Sequence, residues 1–494
     1  MKFDFRYRLI AFWISSAAVL AALSGCAWFG DKSKRAQMMA MPEMSRTLAA
    51  ARWSSPSANG QWPQQAWWED FKIPALNRLV AAALADNPDF KAAAARLRQS
   101  QAMVDAQAAE LYPTVDANVS FSAQRFSANS TQAKLAGENF RQLLINPLVL
   151  RYHLDFWGRD QAALEAAVGK SMAAETELAD AKLLLASAVA SSYFGLIAAS
   201  EKRDAAEKIV KDREALLTLQ QVSMDTGLTA AAPLLQAKMA LNAAQQIVAG
   251  ARAEVELQKN LLAALAGKGP DWGHGIVVDG GVLPSRLALP ADLPLRLLAH
   301  RPDVTAARLH AQAAAQDIKV AETAFYPDVN LIGFAGLHSV SLTDVVLQGS
   351  SLAYAIGPSV DFPIFEGGRL RANLNDQEAG YDAAVERYNG ALLHAVQEVA
   401  DALTRWRDID ARLAEQRQNV ADAAEVERLA DSLNQTGLSD RAGLMLASAE
   451  AHQQRFRLAA LEGEHFKTAV QVIKALGGGF NEIKPDIQKI SHAN

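Results

Sequence analysis

The sequence predicts an α+β membrane protein, written twice along the chain, in which strands of a transmembrane β-barrel are continued by helical coiled-coil columns. Three observations carry this expectation. An internal repeat spans about 210 residues, each copy holds two segments of period-two hydrophobicity, and each copy then runs into proline-free helical stretches too long for a globular domain.

The repeat shows first in its punctuation. Residues 87–117 (NPDFKAAAARLRQSQAMVDAQAAELYPTVDA) align with 301–331 (RPDVTAARLHAQAAAQDIKVAETAFYPDVNL), so that Pro88 meets Pro302, Asp89 meets Asp303 and Tyr112-Pro113 meets Tyr326-Pro327. Further on, Gly158-Arg159 meets Gly368-Arg369, Thr226-Gly227-Leu228 meets Thr436-Gly437-Leu438, and Gly267 meets Gly477. Alanine-rich helices match one another by composition alone; shared glycines and prolines do not. Each copy opens with a helix that starts after Pro-Asp and stops before Tyr-Pro.

The next segments alternate. In the first copy Val115, Val119 and Phe121 interleave with Asp116, Asn118, Ser120 and Ser122, and Leu148, Leu150, Tyr152, Leu154 and Phe156 interleave with Arg151, His153 and Asp155. The second copy offers VNLIGFAGL (329–337), then Leu352, Tyr354, Ile356, Val360 and Phe362. Such strands suit a transmembrane barrel, and equally a half-buried sheet of a soluble domain.

The helices decide between them. No proline falls between Arg159 and Ala232 or between Ile364 and Lys484, and the helical pattern runs to about Asp225 and Gln435 before returning over Thr229–Ala266 and Arg441–Leu476. The longer arms would each span ~100 Å at 1.5 Å per residue, a length that suits columns. Four strands are too few to close a barrel, and open edges in lipid cost several kcal/mol for each unpaired backbone group. The strands must then be shared: two copies give eight and a filled barrel, three give twelve and an aqueous lumen. The expected object is therefore trimeric and 12-stranded if it is a channel.

The N-terminus supplies an address. Lys2, Arg6 and Arg8 precede an apolar run, Leu9–Leu23, with the layout of a secretory signal. Leu23-Ser24-Gly25-Cys26 then resembles the bacterial lipobox, at which the signal is cut and Cys26 is lipidated. Ala27, and not Asp, follows the cysteine, which points to the outer membrane. Cys26 is the only cysteine, so no disulfide forms within one chain. The formal charge of −5 with no basic cluster argues against nucleic acid.

The duplicated layout and the tracts LDFWGRD (154–160), DFPIFEGGRLRANL (361–374) and RPDVTAAR (301–308) resemble the TolC/OprM outer-membrane efflux factors. The lipobox is similar to the lipoprotein (NodT-type) branch. The resemblance covers nearly the whole mature chain. It implies a homotrimer with a 12-stranded barrel in the outer membrane, continued by a periplasmic α-helical barrel. The trimer would pass drugs or other small molecules from an inner-membrane pump through a periplasmic adaptor. The divisions expected are 1–25 signal, 26–75 N-terminal equatorial segment, 76–267 first repeat, 268–295 inter-repeat equatorial segment, 296–477 second repeat and 478–494 tail.

Site residues follow. Gly158 and Gly368 stand where a strand turns into a long helix, a place for positive φ. The hairpin tips Gly227, Leu228, Thr229 and Gly437, Leu438, Ser439 are where the resemblance places the adaptor, with Thr229 or Ser439 as the N-cap of the returning helix. Better-known family members carry acidic residues beyond the second tip that narrow the tunnel. Here those places read Gly443 and Leu446, so the expected periplasmic gate is Asp440, as a ring or paired with Arg441, or an apolar seal at Leu444 and Leu446. The change also opens the choice of pump between the RND and major-facilitator types. Nothing reads as an enzyme: the nine histidines are scattered, with no metal-ligand spacing, P-loop or nucleophile elbow. Catalytic residues, cofactor and metal are expected to be none. His153 is expected to line a wet lumen, and Trp53, Trp62, Trp67 and Trp68 to pack. A protein-secretion duct and a non-conducting envelope lipoprotein remain as other functions of such a chain.

Overall fold

The computed structural model describes residues 35–42, 64–125, 127, 129, 139–278, 300–340 and 351–481. The signal, Cys26, Trp53, Trp62, nearly all of the inter-repeat segment beyond residue 278 and most of the tail lie outside the described residues.

From the Pro-Asp helix onward, each repeat lays down the same sequence of elements, and the first is preceded by one more described helix. The first has α1 (Pro74–Asp86), α2 (Pro88–Ala109), β1 (Thr114–Arg125), β2 (Asn139–His153), α3 (Arg159–Asp225) and α4 (Ala231–Leu265). The second has α5 (Pro302–Thr323), β3 (Asp328–Ser339), β4 (Leu352–Asp361), α6 (Arg369–Gln435) and α7 (Arg441–Ala475). The paired helices have identical lengths: 67 residues for α3 and α6, and 35 for α4 and α7. Pro88 stands first in α2, where its missing N–H costs nothing, and Asn87 accepts from the Phe90 amide at 3.0 Å to cap the turn.

Two compact units divide the described residues. The first holds the sheet, α5 and the helix segments adjoining them. Its strands run β1-β2-β3-β4, antiparallel throughout. Strand β2 begins nine residues ahead of the sharp alternation at Leu148, because Asn146-Pro147 breaks the pattern. The register shifts between Ile145 and Leu148, which puts Pro147 in a bulge where a ladder donor is not needed. The strand also stops at His153, short of the expected Phe156. Asp155 has turned back, and its carboxylate accepts from the Arg159 and Gln161 amides at 2.6 and 3.0 Å to cap α3. In the same unit Gly169 of α3 presses on Ala313 of α5, whose Cβ lies 3.1 Å from where a side chain would begin, and Lys170 pairs with Asp317 at 2.9 Å.

The second unit contains the main core. Trp67, Trp68 and Phe71 of a 3-10 turn pack with Leu76 and Val80 of α1, with Tyr193, Phe194 and Leu196 of α3, and with Val470 of α7. Phe194 stacks on Phe466 with centroids 4.4 Å apart. Trp67 and Trp68 are thus packing residues, as expected. Among the described residues one helix, α3, contains a stretch long and apolar enough to cross a membrane, and 72% of that stretch is buried inside the protein.

Candidate functional site

The register of the sheet gathers its apolar side chains on one face, with Ser339 and Arg141 at its end. Val119 and Phe121 oppose Ile145 and Leu143; Leu150 and Leu148 oppose Gly333 and Ala335; these oppose Ile356 and Tyr354; and Leu337 opposes Leu352. The face is open: Tyr354 is 77% and Ile356 70% exposed, and Val115, Val119, Phe121, Leu148 and Leu352 are exposed as well. The opposite face mixes Asp116, Asn118, Ser120, Arg151 and Asn330 with apolar residues, and Arg151 pairs with Asp116 at 3.2 Å. A half-buried sheet of a soluble domain hides its apolar side, and this one hides neither. Strands β1 and β4 end the sheet, each with one edge unpaired among the described residues.

Where the strands end, the repeat's tracts meet. Trp157 of LDFWGRD donates from Nε1 to the Pro327 carbonyl at 2.8 Å and stacks on Tyr326 at 5.1 Å. Gly158 and Gly368 take φ of 74° and 89°, the left-handed turn expected of them. His153 does not look into open space: Nδ1 bonds Asp160, and Nε2 lies 2.8 Å from Asp328. His153, Asp155 and Asp160 come within metal-ligand distance of one another, but Asp155 is spent on helix amides and His153 on two carboxylates. The group is a strap joining β2, α3 and β3.

The hairpin tips repeat each other to within a tenth of an ångström. Leu228 N donates to Ser223 O at 2.8 Å and Gly227 N to Met224 O at 3.0 Å; Leu438 N donates to Leu433 O at 2.9 Å and Gly437 N to Asn434 O at 3.1 Å. This is the Schellman closure of α3 and α6, with glycine in the left-handed position. Leu228 and Leu438, 79% and 78% exposed, stand free of any core.

Two tip expectations need correction. Thr229 and Ser439 cap nothing, because each stands one residue ahead of the N-cap position. The N-caps are Ala230, which has no side chain to offer, and Asp440, whose Oδ1 accepts from the Gly443 amide at 2.8 Å. Asp440 therefore caps α7 and forms no ion pair with Arg441 among the described residues. Of the expected gate residues, Leu446 is exposed and Leu444 half-buried.

The sequence matches the outer membrane efflux protein family twice, over residues 79–268 and again over 293–478. The chain belongs to the outer membrane efflux protein family. The fusaric acid resistance protein FusA of Burkholderia cepacia is 31% identical over 472 residues, which cover 94% of this chain and 87% of FusA. The multidrug resistance outer membrane protein MdtP of Escherichia coli is 28% identical, over 87% and 90% of the two chains. Among solved structures, the outer membrane protein VceC of Vibrio cholerae superposes with a TM-score of 0.77 at 32% identity, over 85% of this chain and all of VceC. The resemblance read from the duplicated layout and the three tracts is thus borne out, and with it an outer-membrane efflux channel. The family is a duct and not a known enzyme. Sequence reasoning missed the Asp155 cap, the His153 strap and a buried cluster around Arg301 described below. Only the last left a signal: Asn87 and Arg301 differ in charge at equivalent places.

Proposed function

We propose that three copies of this chain close a 12-stranded barrel in the outer membrane. In that barrel the apolar sheet face meets lipid, and the mixed face lines the exit. What supports this is the four-stranded sheet with an exposed apolar face and unpaired edges, a surface that lipid and neighbouring strands satisfy together. The long hairpins continue the duct as a periplasmic helical barrel. Drugs or other small molecules pass through it from an inner-membrane pump of RND or major-facilitator type. A periplasmic adaptor docks on the tips, where Gly227 and Gly437 shape the turn, Thr229 and Ser439 flank it, and Leu228 and Leu438 supply apolar contact. Leu444 and Leu446 seal the closed end, and Asp440 acts there as a helix cap. Cys26 carries the lipid anchor. FusA and MdtP are named for fusaric acid and multidrug resistance, which favours small-molecule cargo over polypeptide.

A photo-crosslinking side chain at Leu438 tests the central contact. With Cys26 acylated, Leu438→Cys presents the sole free thiol for attachment. Irradiation of intact cells should capture a periplasmic adaptor, and its type names the pump. Capture of peptidoglycan-associated proteins alone, with the channel abundant, would overturn adaptor docking.

A further inference from the structure

Both nitrogens of the His153 ring face carboxylates. Nδ1 bonds Asp160 in the first turn of α3, and Nε2 lies 2.8 Å from Oδ1 of Asp328, the first residue of β3. A carboxylate oxygen only accepts, and a ring nitrogen without its proton does the same. Neither meeting is favourable unless the nitrogen carries a proton, so the geometry calls for a ring protonated at both positions. Asp328 depends on that charge. Its Oδ1 is buried with no hydrogen bond among the described residues, and the cation beside it is what offsets the burial.

The surroundings favour the same state. The Asp155 carboxylate lies within 4.8 Å of the His153 and Asp160 ligand atoms, and Asp361 of β4 stands directly across the register from Asp328. Like charges in that position weaken a strand pair, and a cation on Asp328 relieves them. Arg159, at the start of α3, is the positive group that faces the ring and opposes its charge. Four carboxylates thus stand against one arginine. The second repeat has no counterpart: the positions equivalent to His153, Asp155 and Asp160 are Pro363, Phe365 and Leu370, and Asp328 corresponds to Thr114.

We propose that His153 is a proton-held clasp at the root of the sheet, where strand gives way to long helix: doubly protonated, it ties the start of β3 to the start of α3 across the end of β2, and loss of one proton frees β3. Burial decides which tie opens. The Asp160 side chain is 13% exposed and has little access to water, so the remaining proton stays on Nδ1; the Asp328 side chain is 42% exposed and can turn outward. The sign follows from linkage. The tie stabilises the root while the ring carries both protons, and its contribution is lost as rising pH removes one. Trp157 still donates to the Pro327 carbonyl, a bond that does not titrate, so the start of β3 loosens without coming away. The first repeat's strand-to-helix turn is thereby firm in acid and looser in base, while the turn at Gly368 has no such dependence.

Hydrogen exchange by mass spectrometry on the full chain in detergent tests this, with rates corrected for intrinsic pH dependence. From pH 5.5 to 9.0, protection of residues 326–333 should fall about tenfold in the wild type, the worth of one charge-assisted hydrogen bond. His153→Gln should show the low protection at both pH values, and His153→Lys, which keeps its charge over this range, should hold the high one. Residues 364–372, at the second repeat's turn, should not respond. No fall in the wild type, the same fall in either variant, or an equal fall at 364–372 would overturn the clasp. Should neither variant fold, the wild-type contrast between 326–333 and 364–372 decides alone. Exchange is read whether or not the protein conducts, so such a failure leaves the efflux reading standing.

Discussion

Replacing Arg301 by the residue its twin repeat uses isolates the energetics of a buried charge. In Arg301→Asn the shorter side chain can still reach the Ala475 carbonyl at the end of α7, to which Arg301 donates, since Asn87 reaches the Leu265 carbonyl of α4 from the equivalent position. What disappears is the cation between Asp303 and Glu398. Removing one partner of a buried pair costs about 3–5 kcal/mol, because the other charge is left uncompensated. Here both carboxylates remain about a third exposed and Lys474 still reaches Glu398, so the expected loss lies at the low end, about 3 kcal/mol. Adding Glu398→Ala, the residue found at the equivalent Ala188, should return roughly 1–2 kcal/mol, a coupling typical of groups in one network. The assay is reversible chemical unfolding of the detergent-solubilised protein, followed by circular dichroism for wild type, both single variants and the double. A loss below about 1 kcal/mol for Arg301→Asn, or additive single effects, would refute the view that charge pairing and not helix capping dominates this junction.

Other outcomes follow from the same structure. Leu438→Asp should leave helix content and outer-membrane abundance unchanged while abolishing drug resistance in a complementation assay, because the side chain packs against nothing in its own chain. Gly477→Ala should cost at least ~3 kcal/mol, since φ is +87° and a Cβ would meet the His300 backbone. Gly437→Ala, with φ of +74° and open space, should cost only ~1–2 kcal/mol, and the difference between the two in denaturant midpoint is the check. His465 stacks on Trp406 at 4.4 Å, and its ring nitrogens are buried with no hydrogen bond among the described residues; burial lowers its pKa below 6.5, against the pull of Asp410, whose carboxylate lies 3.9 Å from Nε2. Neutral His465 is therefore favoured above 6.5 and its contribution lost as pH falls through the lowered value. His465→Phe should flatten that acid-side loss in a melting series from pH 7 to 5.

How much of this was legible in the chain depends on whether a feature is local. Helix ends at Asp225, Gln435 and Arg441 fell where Gly-Leu turns and proline-free alanine-rich runs placed them, because capping chemistry sits within a few residues of the end it stops. The N-caps went wrong by one residue because Thr229 and Ser439 look the part, while the turn needs one more residue before α4 and α7 can start. Strand β2 was half hidden by Asn146-Pro147, whose bulge only the neighbouring strand reveals. The largely apolar face of the sheet was likewise blurred in VNLIGFAGL; it emerges only when four strands are set in register. The Arg301 cluster joins residues 301, 303, 398 and 475, and no local pattern speaks of such a meeting. The contrast between NPD and RPD was the single visible trace.

The unfinished sheet has a consequence for the life of the chain before it works. A lone copy with a bare apolar face and two unpaired strand edges is suited neither to water, which the face avoids, nor to lipid, which the edges cannot tolerate. Its long helices need no such company, being closed within themselves by their own backbone bonds. Biogenesis is thereby split: the columns are free to form early, while the strands must be kept from the wrong neighbours until the right ones arrive. Expression in excess of the export and insertion machinery should collect as edge-joined aggregates seeded by residues 114–153 and 328–361, and the helical remainder should stay native within them.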